Sequence, residues 1–393
     1  MHLTHTPDQE RLREQLRAYF AKLMTPERRD GLSTGGEYGD GTAYKEIVRQ
    51  MGRDGWLALS WPEEHGGSGG SMLDQLVFTD EAALAGVPVP FLTINTVGPT
   101  IMRYGTDEQR AWYLPRIAAG ELHFSIGYSE PGAGTDLAAL STRAELDGDE
   151  YVVNGQKMWT SLIQYADHVW LAARTDPEAP RHKGLSILIV PTSSNGFSWT
   201  RVRTVAGPET SATYYEDVRV PASSVVGEPN RGWGLITNQL NHERVALTSA
   251  APVMLALRQV RAWAQETTLP GSTRRVIDQE WVRAHLARVH AKAEYLKLLN
   301  WRTAWSAEQS PAPAAASATK VFGTEFAIEA YRMLMEVLGP SAIVRGDSRG
   351  AALGGKIERL HRSALILTFG GGTNEVQRDI IAAAALEQPI SRR

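Results

Sequence analysis

The chain has 393 residues, 42% hydrophobic and 22% charged, the balance of an ordinary globular protein with room for two or three packed units. Its formal net charge of −3 (41 basic against 44 acidic residues), with no long basic run, argues against nucleic acid as a partner. Zero cysteines exclude disulfides, thiol nucleophiles and thiolate metal sites, and no apolar run approaches the roughly 20 residues that span a bilayer. Met1 to Pro7 begins no apolar signal core, so the expectation is a soluble, cytoplasmic chain without a membrane role.

Three textures divide the chain, at residues 1–121, 122–230 and 231–393. In the first, Thr6-Pro7-Asp8 opens a helix whose Leu12, Leu16, Tyr19, Phe20 and Leu23 recur at helical spacing, ending before Pro26. A glycine-rich loop at Gly66–Gly70 precedes a second helical pattern, Leu73–Ala85. The middle region reads as short strands at Ser141–Leu146, Tyr151–Val153, Lys157–Ser161, His168–Ala173, Leu185–Val190 and Tyr214–Val220. Asp147-Gly148-Asp149 and Asn154-Gly155 are turn signals between the first three. This predicts a compact all-β unit, a small barrel or sandwich. From Gly232 onward long helical patterns return, broken at Ser310-Pro311-Ala312-Pro313 before Ala314–Tyr331. There is no internal repeat.

Three segments carry candidate chemistry. In Tyr128-Ser129-Glu130-Pro131-Gly132-Ala133-Gly134-Thr135-Asp136, small residues leave backbone amides open to a ligand and Ser129 and Thr135 add hydroxyls; an ordinary turn is the competing reading. In Gly155–Ser161, Trp159, Thr160 and Ser161 join Tyr128 in combining planar apolar surface with hydrogen-bonding groups, as a flat polar heterocycle requires. For Trp159 the alternative is plain core packing. Glu243 falls on an apolar helical stripe with Ile236, Leu240, Leu247 and Ala250, where desolvation raises a carboxylate's pKa and suits it to moving protons. A structural pairing with Arg244 or a neighbouring helix accounts for the same residue.

These segments, followed by Gly372-Thr373-Asn374-Glu375-Val376-Gln377-Arg378 and preceded by Tyr104-Gly105-Thr106-Asp107-Glu108-Gln109, resemble the acyl-CoA dehydrogenase family over essentially the whole chain. The resemblance implies an α+β multidomain fold: an amino-terminal helical domain, a central small β-barrel or sandwich, and a carboxy-terminal helical bundle. It implies FAD, lined by Ile126, Gly127, Tyr128, Ser129, Gly134 and Thr135, covered or bonded by Trp159, Thr160 and Ser161, and met by Thr373. In such enzymes a carboxylate takes the α-proton of an acyl-CoA thioester while the β-hydrogen leaves as hydride to flavin N5. Thr135, Arg244 and Gly371 are the implied substrate contacts.

Two departures refine the resemblance. Most members place the catalytic Glu directly before the Gly-Thr of the carboxy-terminal motif, where this chain has Gly371. Isovaleryl and long-chain types carry the base on another helix, directly before an Arg, which is the position of Glu243; Arg244 is then its electrostatic neighbour, and Gly371 leaves room for a branched or bulky α-carbon. In homotetrameric relatives a neighbour lends an Arg and a Gln to the FAD diphosphate and adenosine, positions that fall near Thr268 and at Glu336 here. A carboxylate beside a diphosphate is repulsive. The missing half then comes from an unlike subunit, the arrangement of actinobacterial steroid side-chain acyl-CoA dehydrogenases, which Phe124–Glu130, Asn238–Arg244 and Leu367–Gly372 also resemble. The resemblance implies a steroid-CoA substrate, a second, non-identical acyl-CoA dehydrogenase-like subunit in a two-plus-two heterotetramer, and an electron-transfer flavoprotein as acceptor. The rival expectations are a homotetrameric branched-chain or long-chain acyl-CoA dehydrogenase and a non-catalytic flavin-binding subunit.

Overall fold

The computed structural model describes residues 4–33, 38–246, 248–307, 313–346 and 348–389, except for the side chains at 33, 240–246 and 307. The first helix, α1 (Pro7–Leu23), starts where a capping box dictates: Gln9 N donates to Thr6 Oγ1 at 3.2 Å and Thr6 N donates to Gln9 Oε1 at 3.1 Å. Its buried Leu16, Phe20 and Leu23 pack with α2 (Pro26–Ser33), α3 (Thr42–Arg53), α4 (Met72–Ala85), α5 (Gly98–Tyr104) and α6 (Asp107–Ala118). A π-helical turn, Thr93–Val97, leads directly into α5. Gln109, third residue of the capping box that opens α6, donates its Nε2 to Ser223 O and Val225 O, both at 2.8 Å. The helical layer is thereby fastened to the end of the β unit.

The β unit comprises β1 (Phe124–Gly127), β2 (Arg143–Asp147), β3 (Glu150–Lys157), β4 (His168–Arg174), β5 (Leu185–Pro191), β6 (Phe197–Arg203), β7 (Glu209–Pro221) and β8 (Val225–Val226). Their order is β6-β7-β3-β2-β4-β5-β8, with β1 parallel on β4. The halves β6-β7-β3-β2 and β1-β4-β5-β8 meet through a single register pair, Arg143↔Arg174. Alternation assigns the faces. Val169 and Leu171 of β4 point at Val153, Leu188 and Val218 between the halves, while Trp170 and Ala172 point at the amino-terminal helices. β4 is consequently buried on both faces.

Two expected features change. Lys157–Ser161 is not a separate strand and Asn154-Gly155 is not a turn: β3 runs unbroken from Glu150 to Lys157. Opposite Asn154 the register slips, Val153↔Val218 being followed by Gly155↔Tyr215, so β7 carries an extra residue there. Asn154 serves that bulge, its Nδ2 donating to Asp217 Oδ1 at 2.9 Å and its Oδ1 accepting from Asp217 N at 3.0 Å. Gly155, at φ 151°, lies so close to β2 that an added Cβ would stand 2.7 Å from Thr142 Cα. Strands β1, β6 and β8 were not among the expected ones.

The remainder is helical: α7 (Gly232–Ala246), α8 (Ala251–Glu266), α9 (Glu280–Ala307), α10 (Pro313–Leu338), α11 (Lys356–Ala364) and α12 (Asn374–Leu386). Val260, Val289, Leu296, Ala330 and Leu334 form its core around α10. Of the expected break at residues 310–313, the first three lie outside the described residues, and Pro313 starts α10, where a missing N–H costs nothing. Among the described residues no helix is long and apolar enough to cross a membrane.

Gly155→Ala forces Thr142 aside and is expected to cost about 1–3 kcal/mol in denaturant unfolding. Gly132→Ala, whose new Cβ meets nothing within 4 Å, should stay within about 0.5 kcal/mol of the parent. Equal losses would contradict this account of the bulge.

Candidate cofactor and active site

A buried ion pair joins the two central motifs. Lys157, the last residue of β3, is fully buried, and its Nζ donates to Glu130 Oε1 at 2.8 Å and to Tyr128 O at 3.1 Å. Glu130 accepts further bonds from Ser141 N and Oγ, both at 2.7 Å, and from Thr142 N at 2.8 Å. Burial opposes the Glu130 carboxylate, but the Lys157 ammonium and these hydrogen bonds outweigh it and hold the carboxyl at about 2. Burial likewise pulls the Lys157 ammonium down to about 8 against the pull of Glu130. Both groups stay ionised at neutral pH. A backbone bond, Met158 N to Ser129 O at 2.8 Å, completes the junction.

The junction brings Tyr128 and Ser129 together with the segment Trp159–Ser161. Ile126 and Gly127 end β1, with Gly127 buried and Ile126 half-buried. Trp159 is 56% exposed and takes a left-handed φ of 66°, so it is not core packing. Thr160 turns inward: it is fully buried, with its N–H on Ser211 O at 2.9 Å. Ser161 is exposed, its Oγ 3.2 Å from Thr210 Oγ1 and its carbonyl accepting from Ser125 Oγ at 2.9 Å. Gly134 and Thr135 are exposed, and an added Cβ at Gly132 or Gly134 meets only open space. An exposed indole plane flanked by hydroxyls and unencumbered glycines suits a flavin ring and its polar chain.

Helix α7 is held to this platform in its middle and at both ends. At its start, Asn230 N donates to Ser186 Oγ at 2.8 Å and Thr175 Oγ1 donates to Asn230 Oδ1 at 2.6 Å. Just beyond its end, Ser249 Oγ donates to Asp80 Oδ1 at 2.6 Å and Asn300 Nδ2 donates to Thr248 O at 2.8 Å. Burial pushes the Asp80 carboxyl up to about 6. In the middle, Gln239 Oε1 accepts from Tyr128 OH and, at 3.4 Å, from Trp170 Nε1, which also donates to Tyr128 OH at 3.1 Å. Glu243 and Arg244 belong to α7, but their side chains lie outside the described residues. Residue 243 follows Gln239 by one helical turn on the same face.

Gly371 and Thr373 sit on the carboxy-terminal bundle. Gly371 has φ 67° and Gly372 φ 89°, a region that a glutamate rarely adopts, so the turn itself favours glycine where a base is absent. Buried Lys320 ties the turn down, donating to Thr368 O at 3.1 Å, Gly372 O at 3.0 Å and Asn374 Oδ1 at 2.7 Å. Thr373 caps α12, its Oγ1 accepting from Val376 N at 3.3 Å. The bundle reaches the β unit through Arg362 Nη1 to Val205 O and Ser363 Oγ to Ala206 O at 3.4 Å. At the positions tied to subunit assembly, Thr268 pairs with Arg275 in an isolated bridge, and Glu336 Oε2 lies 2.7 Å from His285 Nε2. Surface cavities of about 540 and 400 Å³ lie against Glu27, Asp40 and Glu46 and against Ile343, Glu358 and Arg362, and none of the named site residues lines either.

Sequence reasoning missed the pairing of Lys157 with Glu130, the role of Gln239 and the role of Lys320. Lys157 and Glu130 stand inside the quoted motifs, so their burial as a pair was within reach. Gln239, four residues before Glu243, was marked only by that spacing.

Comparison with known proteins follows the same three regions. Residues 6–121, 125–218 and 230–386 match the acyl-CoA dehydrogenase N-terminal, middle and C-terminal domains. Acyl-CoA dehydrogenase FadE26 of Mycobacterium tuberculosis is 67% identical over 401 residues, spanning 100% of both chains. A chain in the crystal structure of the ChsE4-ChsE5 complex from Mycobacterium tuberculosis is 67% identical, with a TM-score of 0.93 over 99% of this chain and 100% of that one. One in the structure named Tcur3481-Tcur3483 steroid ACAD is 49% identical, with a TM-score of 0.92 over 100% of each chain.

Glu130→Gln leaves Lys157 buried without a counter-charge and is expected to cost about 3–5 kcal/mol at pH 7, with loss of bound flavin. Because folding lowers the Glu130 pKa, its stabilisation is present above the ordinary carboxylate value and is lost as pH falls toward about 2. Unfolding followed from pH 6 to pH 3 should show a shallower acid loss in Glu130→Gln than in the parent. Parallel curves would contradict the pair's role.

Proposed function

This chain belongs to the acyl-CoA dehydrogenase family, and on that premise we propose that it introduces the 2,3-double bond into a CoA thioester bearing a steroid side chain. It is an acyl-CoA dehydrogenase of a family that binds FAD. When bound, FAD supplies the hydride acceptor at N5. Ile126 to Ser129, Gly134, Thr135, Trp159 to Ser161 and Thr373 hold it; Glu243 takes the substrate's α-proton, and Thr135, Arg244 and Gly371 lie toward the thioester. Residues 1–121, 122–230 and 231–393 act as the three units of this machine.

The observation that carries the reading is the buried cluster of Tyr128, Trp170 and Gln239, which fixes α7 against the flavin-side loop one turn before residue 243. A general base must sit within hydrogen-bond reach of the proton it removes, and this clamp sets the helix to which Glu243 belongs. The left-handed backbone at Gly371 supports the absence of a base from the carboxy-terminal turn. The steroid substrate and the second, non-identical subunit of a two-plus-two heterotetramer are supported by relatives named as a complex and as a steroid ACAD. The engagement of Glu336 by His285 fits a chain that does not complete a copy of its own site. An electron-transfer flavoprotein as acceptor and a cytoplasmic location belong to the same reading.

Glu243→Gln, mixed anaerobically with the steroid-CoA thioester, should bleach the flavin at least about 100-fold more slowly than the parent. Bleaching at the parental rate would remove Glu243 from the role. The chain produced alone should hold sub-stoichiometric FAD and recover it when produced with its partner. Stoichiometric FAD and full activity alone would favour a homotetrameric branched-chain or long-chain enzyme instead.

A further inference from the structure

The cavity of about 400 Å³ beside α11 carries an excess of positive charge. Its volume falls in the range of small-ligand sites, roughly 300–1,000 Å³. Arg345, Arg359 and Arg362 line it, and among the described residues Glu358 is the one carboxylate that does. Arg362 consumes that carboxylate, with Nε on Oε1 at 2.5 Å and Nη2 on Oε2 at 2.9 Å. Arg359 is exposed and has neither hydrogen bond nor ion pair among the described residues. Lys356, half-buried and next to Gly355 of the cavity wall, adds a further cation. Burial, then Arg359 and Arg29, hold its ammonium below the ordinary lysine value. Like charges gathered in this way repel one another until an anion enters.

The backbone keeps the cavity open. Leu353, Gly354 and Gly355 are left-handed in succession, at φ 51°, 60° and 68°. A leucine adopts that region only at a cost, and packing on the carboxy-terminal core holds Leu353 there. Gly346 touches this turn, since an added Cβ would stand 2.6 Å from Gly354 O, whereas a Cβ on Gly354 would meet open space. Ile343 and Val344 supply an apolar wall beside the cations. We propose that this cavity binds the phosphate groups of an exchangeable, nucleotide-sized ligand, with Arg345 and Arg359 as its charged contacts. A phosphate offers guanidinium groups up to two charges and three acceptor oxygens, more than one carboxylate provides. The volume and the apolar wall leave room for the rest of the molecule. No residue assigned to the flavin, the thioester or proton transfer takes part, so the site stands whether or not Glu243 is the base.

The test is titration of the FAD-loaded complex with ADP and with inorganic pyrophosphate, followed by calorimetry at constant ionic strength. One site per copy of this chain is expected. Arg359→Gln should weaken both ligands at least about tenfold, the worth of a charged hydrogen bond. Arg11→Gln, which removes another exposed arginine, on α1, should bind as the parent does. Arg345→Gln is read in the same way should Arg359→Gln fail to fold. Coenzyme A added as a competitor separates the sources of the phosphate. Displacement of ADP marks the nucleotide end of the CoA thioester, and no displacement marks a free nucleotide. Equal affinity in Arg359→Gln and the parent overturns the proposal, as does equal weakening in Arg11→Gln or the absence of binding to the complex.

Discussion

The ion pair between Lys157 and Glu130 is the constraint on which the site depends. It lies where the end of β3 crosses the loop after β1, and it binds the carbonyl of Tyr128 as well as the Glu130 carboxylate. A buried pair of this kind is weak evidence for stability, since desolvation offsets much of the attraction. Its consequence here is geometric. With Glu130 also gripping the amides of Ser141 and Thr142, three stretches of chain share one fixed point. Trp159 can then stand exposed in a left-handed conformation without the segment collapsing into the sheet.

From that fixed point the order passes outward through Tyr128. Its carbonyl faces Lys157 and its hydroxyl faces Gln239, so one residue couples the β platform to α7. The helix is also secured at Asn230 and at Ser249, which limits sliding along its axis as well as rotation about it. The proposed base on this helix would need such a clamp, because proton transfer tolerates little displacement. The carboxy-terminal turn at Gly371 has a backbone that suits glycine, and Lys320 holds it through carbonyl oxygens.

Local signals in the sequence were legible where local chemistry decides the outcome. Thr6-Pro7 with Gln9 specifies the start of α1, and the largely apolar, unalternating runs of β4 and β5 report strands buried on both faces. β6 has almost no buried face and β8 is two residues long, so neither leaves a period-2 pattern to find. Asn154-Gly155 misleads because the same residue pair that makes a hairpin turn also serves a bulge, and only the partner strand distinguishes them. The motif residues of the site were legible as segments. Their pairings were not: Glu130 and Lys157 are 27 residues apart, and Tyr128 and Gln239 are 111 apart. Such contacts are set by tertiary packing.

Exchange of the substrate's α-hydrogen with deuterated solvent tests the placement of the base most directly, because it reports proton removal without requiring net oxidation. Followed by NMR on the FAD-loaded complex with a saturated acyl-CoA thioester, the parent should wash deuterium into the α-carbon. Glu243→Gln should show no exchange while retaining FAD and thioester binding. Exchange at the parental rate in that variant would contradict the account, whatever its effect on flavin reduction.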